Sequence, residues 1–112
     1  MTKDELTASH CTPRKGPGDA VPADQIGELA QLIGEWRVER EAGQLQREFR
    51  FRDFHHTMGF VNAVAYMANR EDHHPDLEVG YNYCRMRWST HDVGGLSLND
   101  FICASKVDAL VR

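Results

Sequence analysis

The chain has 112 residues and a formal net charge of −4, because its 17 acidic residues outnumber the 13 basic ones. This length indicates one domain with a small core, and the acidic balance argues against a dedicated nucleic-acid surface, which normally shows as a basic patch or stripe. No apolar run approaches the roughly 18 residues of a membrane-spanning helix, so we expect neither nucleic acid nor a membrane as a partner.

Residues 1–20 are rich in polar residues, proline and glycine, and Leu6 is almost their only large apolar residue. Such a segment cannot bury enough surface to offset the entropy that it loses on ordering. We therefore predict a flexible N-terminal tail at residues 1–20 and a folded domain at residues 21–112.

A first helix is predicted at residues 23–33, because apolar residues recur there at helical spacing on one face. Two short strands follow, at about residues 36–38 and 45–51, in which apolar and polar residues alternate. The link between these strands is too short for a crossover connection, which indicates an antiparallel hairpin.

The longest helix is predicted from residue 54 to about residue 68, after Asp53 as its N-cap. A strand at about residues 79–89 follows, and a last helix begins after a cap at residues 97–100. A short additional strand is an option at residues 93–96. The order α-β-β-α-β-β-α predicts an α+β fold, with three helices packed on one face of a mostly antiparallel sheet of three to four strands.

The cysteines at positions 11, 84 and 103 lie far apart, and no pair has the spacing of a zinc ribbon or of a redox motif. Free thiols are typical of a reducing compartment. We therefore expect a cytoplasmic protein.

Two short polar segments carry the candidate chemistry: Asp72-His73-His74-Pro75 and Ser89-Thr90-His91-Asp92. Histidine titrates near neutral pH, so one imidazole can donate a proton while another accepts one. Three histidines and nearby carboxylates also suit zinc, but their spacing is not that of common zinc ligands. A third interpretation is that these are loop histidines with no shared role.

The full set of spaced residues resembles the pterin-4a-carbinolamine dehydratase family over about residues 23–110. The resemblance is carried by residues 49–54, 59–60, 72–75, Tyr81, 89–92, 94–96 and Asp100. It implies dehydration of a 4a-hydroxytetrahydropterin to a quinonoid dihydropterin, without a metal or other cofactor. It also implies that His73 and His91 act as general acids or bases and that His74 mainly fixes the pterin.

The same resemblance implies hydrogen bonds to the pterin from Asp72, Ser89, Thr90 and Asp92, with Pro75 holding His74 extended. Asp100 and Asn69 are candidate supporting residues. Two positions depart from the family pattern. Asn69 stands where the family often has an ionisable residue, so we expect the acid–base properties of the histidines to differ from those in the family. Leu77 stands where the family often has an aromatic residue, so we expect one wall of the pterin pocket to be looser.

The resemblance also has implications for the partners of this chain. The resemblance implies a homodimer or homotetramer and a functional link to phenylalanine hydroxylase, whose oxidised pterin this enzyme would recycle. An alternative is a non-catalytic regulatory protein, a dimerisation cofactor of a transcription factor that retains the pterin site. A metal-binding protein is a third hypothesis.

Overall fold

The computed structural model describes residues 1–111, which form an α+β fold. Four strands make one antiparallel sheet in the order β1-β2-β4-β3. The elements in chain order are α1 (Lys3–Ala8), α2 (Ala23–Leu32), β1 (Arg37–Glu39), β2 (Gln44–Arg50), α3 (Phe54–Glu71), β3 (Asp76–Val79), β4 (Tyr83–Trp88) and α4 (Leu98–Val111). The predicted fold class is confirmed.

The core lies between one face of the sheet and the helices. The central strands contribute side chains such as Leu45, Met86 and Trp88, all almost completely buried. Helix α4 is covered on nearly all sides, since α1, α2, α3 and the sheet contact it. Each large apolar side chain in such a core stabilises the fold by about 1.5–3 kcal/mol relative to exposure.

The alternation read from β2 and β4 is borne out. Inward-facing Cys84, Met86 and Trp88 are buried, whereas Arg85 lies exposed on the outer face between Glu48 and Glu78. The hairpin of β1 and β2 also forms as predicted, with Val38 opposite Leu45.

Two strand predictions were wrong. The strand predicted at residues 79–89 is β4 alone, which begins only at Tyr83. A turn precedes it, in which the Gly80 amide donates to the Tyr83 carbonyl at 3.0 Å, and the strand β3 before that turn was not predicted. The optional strand at residues 93–96 is absent from the described chain. The chain turns there instead, through a 3₁₀ turn at His91–Val93 and a left-handed Gly94, and only the isolated bridge of Thr90 with Gly95 remains.

Helix α3 begins where predicted and extends beyond its predicted end to Glu71. The Asp53 side chain caps it by accepting a hydrogen bond from the His56 amide at 2.8 Å. The helix buries Phe60 and Val64, whereas Phe54 is 51% exposed. Phe60 and Val64 therefore face the core, and Phe54 lies on the outer side of the helix.

The N-terminal segment differs from the flexible tail expected at residues 1–20. A capping box between Thr2 and Glu5 starts helix α1, and Leu6 is 0% exposed against the core. The sequence pattern misses this docking because one side chain, not a periodic face, enters the core. The mobility of the segment, and with it the division of the chain at residue 20, stays a prediction.

None of the helices in residues 1–111 is long and apolar enough to cross a membrane.

Candidate active site

The end of helix α3 directs His73 toward helix α4. Asp72 adopts a left-handed conformation with φ of 52° at the helix C-cap, a region in which Asp is tolerated better than most residues. The turn lets the His73 amide donate to the Ala68 carbonyl at 3.2 Å. The His73 side chain is thereby placed inward, with only 12% of its surface exposed.

A buried carboxylate holds the imidazole of His73. Asp100 is 0% exposed, and its Oδ1 lies 2.7 Å from His73 Nε2. Its Oδ2 accepts from the Thr90 hydroxyl at 2.8 Å and from the Ser97 amide at 2.9 Å. A carboxylate at Asp100 accepts this hydrogen bond only from the His73 tautomer that has its proton on Nε2, and that tautomer leaves Nδ1 for proton transfer.

The indole of Trp88 fixes the other side of this arrangement. Its ring stacks on His73 with centroids 5.5 Å apart and planes 21° from parallel. Trp88 is itself completely buried at the end of β4. The imidazole is therefore held by one stacking contact and one charged hydrogen bond, which restricts its rotation.

His73 lines a cavity of about 240 Å³. Among the predicted residues, Asp72, Thr90 and Asp92 line the same cavity. A second cavity, also of about 240 Å³, is lined by Ser89, Thr90 and His91. Because Thr90 lines both, His73 and His91 lie in neighbouring cavities rather than in one common cleft.

His74 and Pro75 line neither of these cavities. The His74 side chain is exposed, and its Nε2 lies 3.0 Å from Asn69 Oδ1. The Asn69 side chain therefore forms its hydrogen bond with His74. The three histidines converge only partly, and the catalytic and binding roles predicted for them stay predictions.

One wall of the His73 cavity is made by residues that the sequence did not indicate, the N-terminal strap (residues 11–16). Residues 11–15 all line the cavity, together with Asn99 and Glu71. The Asn99 side chain holds the strap by accepting from the Thr12 amide at 3.2 Å and donating to the Thr12 carbonyl at 2.8 Å. No apolar periodicity marks these polar anchors, so the sequence offers no signal for them.

The strap is anchored at both ends. The Cys11 amide donates to Glu71 Oε1 at 2.8 Å, and the Gly16 amide donates to the Asp92 carbonyl at 2.9 Å. Arg14 Nε also donates to Asn99 Oδ1 at 3.2 Å. The strap thus joins the end of α3 to the loop that carries His91.

The anchor at Glu71 should make the stability of the chain depend on pH. Burial alone raises the pKa of this carboxyl, but the Cys11 amide, His10 and Lys106 together lower it below its ordinary value of 4.5. A lowered pKa in the folded chain contributes stability above the unfolded value, and this contribution is lost as the pH falls through the folded value. We expect Glu71→Gln to cost about 1–2 kcal/mol near neutral pH and progressively less at acid pH.

Urea unfolding at a series of pH values measures this effect. Glu28→Gln is a suitable control, since Glu28 lies exposed on α2. An equal loss of stability for Glu71→Gln at neutral and acid pH would contradict the assigned anchor.

The loop that carries His91 lies very close to the β1–β2 hairpin. Gly43 has a φ of +65°, and a Cβ atom built on it would lie 2.6 Å from Gly95 Cα. Gly43→Ala should therefore lower the free energy of unfolding by about 1–3 kcal/mol, through overpacking and backbone strain. Gly59→Ala is the control, because a Cβ there meets nothing within 4 Å. Equal unfolding midpoints for the two variants would refute the close approach of Gly43 to Gly95.

A larger cavity lies elsewhere and contains no histidine. It has a volume of about 580 Å³ between β2, α3 and the end of α4. We place the candidate site at His73 rather than there, because the titratable pair and its hydrogen bonds lie at His73. Within residues 1–111, no group of three or more His, Cys, Asp or Glu side chains is arranged to hold a metal ion.

Comparison with known proteins gives consistent matches. A family model described as pterin 4 alpha carbinolamine dehydratase matches residues 19–110. A protein of Legionella pneumophila (strain Corby), provisionally named pterin-4-alpha-carbinolamine dehydratase, is 50% identical over 112 residues, covering 99% of this chain and 98% of its own. A protein of Stenotrophomonas maltophilia (strain K279a) with the same provisional name is 50% identical over 107 residues, covering 96% and 92%.

Two solved structures share the fold. One is a transcriptional coactivator/pterin dehydratase from Brucella melitensis, with a TM-score of 0.78 and 26% identity, covering 83% of this chain and 99% of its own. The other is a pterin dehydratase-like protein identified as a RuBisCO assembly factor in the alpha-carboxysome. It has a TM-score of 0.59 and 25% identity, covering 68% of this chain and 88% of its own.

Proposed function

Since the chain belongs to the pterin 4 alpha carbinolamine dehydratase family, as its sequence predicted, we propose that it converts a 4a-hydroxytetrahydropterin to a quinonoid dihydropterin and water. It would act as a hydro-lyase in the cytoplasm, recycling the pterin of an aromatic amino acid hydroxylase such as phenylalanine hydroxylase. No electrons are transferred in this dehydration, so it requires no redox cofactor.

The observation that carries the proposal is the pair of His73 and Asp100. An imidazole with one nitrogen bound to a buried carboxylate can exchange a proton through the other nitrogen. The carboxylate stabilises the imidazolium that forms during such a transfer, as an orienting group does in other acid–base sites. His73 lines a cavity, whereas Asp100 lies buried behind it, so a small planar ligand can reach the imidazole.

The chemistry requires two proton movements. The hydroxyl on C4a is a poor leaving group, so a general acid must protonate it before the C–O bond breaks and water leaves. The proton on N5 must then be lost so that the C=N bond of the quinonoid product forms. We assign His73 and His91 to these two transfers, since they border neighbouring cavities that share Thr90.

The other predicted residues support binding in this proposal. Asp72, Thr90 and Asp92 on the His73 side and Ser89 on the His91 side supply hydrogen-bonding groups for the pterin edge. His74, held by Asn69 outside both cavities, fixes the pterin from the rim next to Pro75 rather than transferring a proton.

An assay of the purified chain tests the proposal. The carbinolamine is generated by a phenylalanine hydroxylase reaction, and quinonoid pterin formation is followed by absorbance with and without the chain. We expect a clear acceleration over spontaneous dehydration. A rate equal to the spontaneous one, from chain shown to be folded by circular dichroism, would rule out the dehydratase.

A second candidate function is the regulatory one, and two observations favour it. A relative of the same fold is described as a transcriptional coactivator/pterin dehydratase. Helix α3 also leaves Phe54 exposed, stacked with exposed Tyr81 at 6.5 Å between ring centroids. Binding of a transcription factor that survives loss of His73 and is abolished by Phe54→Ser would favour this function over catalysis.

We also propose that the chain forms a homodimer or homotetramer. Strands β1 and β3 are the outer strands of the sheet, and a second copy can extend the sheet by pairing with either edge. Sedimentation equilibrium of the purified chain measures the state directly.

A further inference from the structure

We propose that Cys11 and Cys103 form a reversible disulfide that fastens the N-terminal strap beside the His73 cavity. The two sulfur atoms lie 3.5 Å apart although the residues are 92 positions apart in the sequence. Cys11 lies in the strap, which lines the cavity, and Cys103 lies on α4 one turn beyond Asp100. Nothing in the spacing of the cysteines predicts this pair.

The strap is already held in the position that a disulfide needs. The Cys11 amide is bound by Glu71, and the next residue is bound on both sides by the Asn99 side chain. A disulfide requires a sulfur–sulfur distance of about 2.05 Å. The sulfurs must therefore approach by about 1.5 Å more, and the disulfide we propose requires the two side chains to rotate far enough to close that distance.

The two thiols differ in access, which sets the order of reaction. Cys11 is half-buried, whereas Cys103 is completely buried. An oxidant in solution therefore reaches Cys11 first. Cys103 then acts as the resolving thiol, because it is shielded from solvent and its sulfur lies next to the Cys11 sulfur.

The oxidant we invoke is a small-molecule disulfide such as glutathione disulfide. The Cys11 thiolate attacks one sulfur of this disulfide, so that a mixed disulfide forms and one small thiolate leaves. Cys103 loses its proton and attacks the Cys11 sulfur, which forms the protein disulfide and expels the second small thiolate. Two protein thiols are oxidised, one small disulfide is reduced to two thiols, and the protons pass to those thiols.

The environment of Cys103 makes the second step slow at neutral pH. The hydrogen bond with Cys11 and burial both raise the pKa of the Cys103 thiol. Little thiolate is present, so the rate of disulfide formation should increase as the pH rises. Cys84 is a control within the chain: burial raises its pKa to about 11, and the described residues place no second thiol in contact with it.

The test is oxidation of the native chain by glutathione disulfide, read by mass spectrometry and thiol titration. We expect the mass to fall by two hydrogen atoms and the number of free thiols to fall from three to one. Tryptic peptides 4–14 and 88–106 contain Cys11 and Cys103. They should be linked, and dithiothreitol should release them.

Matched variants sharpen the result. Cys84→Ser should oxidise as the unaltered chain does, whereas Cys11→Ser should give no internal disulfide. Cys103→Ser should likewise give no internal disulfide. If this variant fails to fold, the linked peptides of the unaltered chain still test the proposal. A glutathione adduct that persists on Cys11, a disulfide between two copies of the chain, or three free thiols after prolonged oxidation would each overturn the proposal.

The effect on the strap has its own readout, independent of the proposed dehydratase activity. The strap carries tryptic sites after Arg14 and Lys15, and cleavage there requires local opening. Oxidation should slow this cleavage severalfold in the unaltered chain and leave it unchanged in Cys11→Ser. Equal cleavage rates in the reduced and oxidised chain would overturn the claim that the disulfide fastens the strap.

Discussion

The His73→Gln variant should dehydrate the pterin about 10²–10⁴-fold more slowly than the unaltered chain. Glutamine can still donate a hydrogen bond toward Asp100, so the buried carboxylate keeps a partner and the fold should persist. It cannot exchange a proton near neutral pH, so the general acid–base step is lost. The rate of quinonoid pterin formation, corrected for the spontaneous reaction, measures this loss.

Three further histidine variants serve as comparisons for this prediction. His91→Gln should also lose activity, because His91 borders the adjoining cavity. His74→Gln should raise KM more than it lowers kcat, because His74 lies outside both cavities. His55→Gln changes an exposed histidine in the first turn of α3 and should retain full activity. Activity of His73→Gln equal to that of His55→Gln would remove His73 from the mechanism.

The Asp108→Ala variant should lose about 2–4 kcal/mol of folding free energy, somewhat less than the loss of one partner from a fully buried ion pair, because Arg47 keeps some solvent contact. Asp108 Oδ1 accepts from Arg47 Nη1 at 2.6 Å and from the Trp36 indole at 2.8 Å. Its Oδ2 accepts from Lys3 Nζ at 3.0 Å. Removal of the carboxylate leaves the Arg47 guanidinium, whose side chain is only 21% exposed, without its counter-ion.

Urea unfolding measured by tryptophan fluorescence gives the loss of stability. Lys3→Ala is the matched control, since the Lys3 side chain is 46% exposed and exposed ion pairs contribute at most about 1 kcal/mol. Similar midpoints for Asp108→Ala and Lys3→Ala would show that the buried pair with Arg47 does not stabilise the fold as its geometry indicates.

Asp108 and the strap residues give the N-terminal segment several contacts with the folded domain. Lys3 is bound at α4 by Asp108, Leu6 enters the core, and Glu71 and Asn99 bind the backbone at residues 11–12. These contacts are spaced along the segment, so they hold it at several points. The candidate site is thereby walled by a segment that precedes the part of the chain matched by the family model, residues 19–110.

Local patterns in the sequence determined much of the fold. Periodicity located α2, α3 and the β1–β2 hairpin, because a face buried against one neighbour imposes a fixed spacing of apolar residues. Helix α4 was located mainly by its N-terminal cap signal, since it is covered on nearly all sides. The alternation along β4 also identified its inward face. The same signals failed at β3, since this short edge strand buries only Leu77 in part and is separated from β4 by a turn of three residues.

The sequence also determined the family and the candidate residues, because the spacing of the His-His-Pro and Ser-Thr-His-Asp segments is specific in combination. Only the tertiary structure decided how those residues are arranged. It places His73 on the buried carboxylate of Asp100, His91 in the adjoining cavity and His74 outside both. It also brings the strap, Asn99 and the pair of Cys11 and Cys103 together. Such contacts join residues that are distant in the chain through single hydrogen bonds and side-chain approaches, which leave no periodic trace in the sequence.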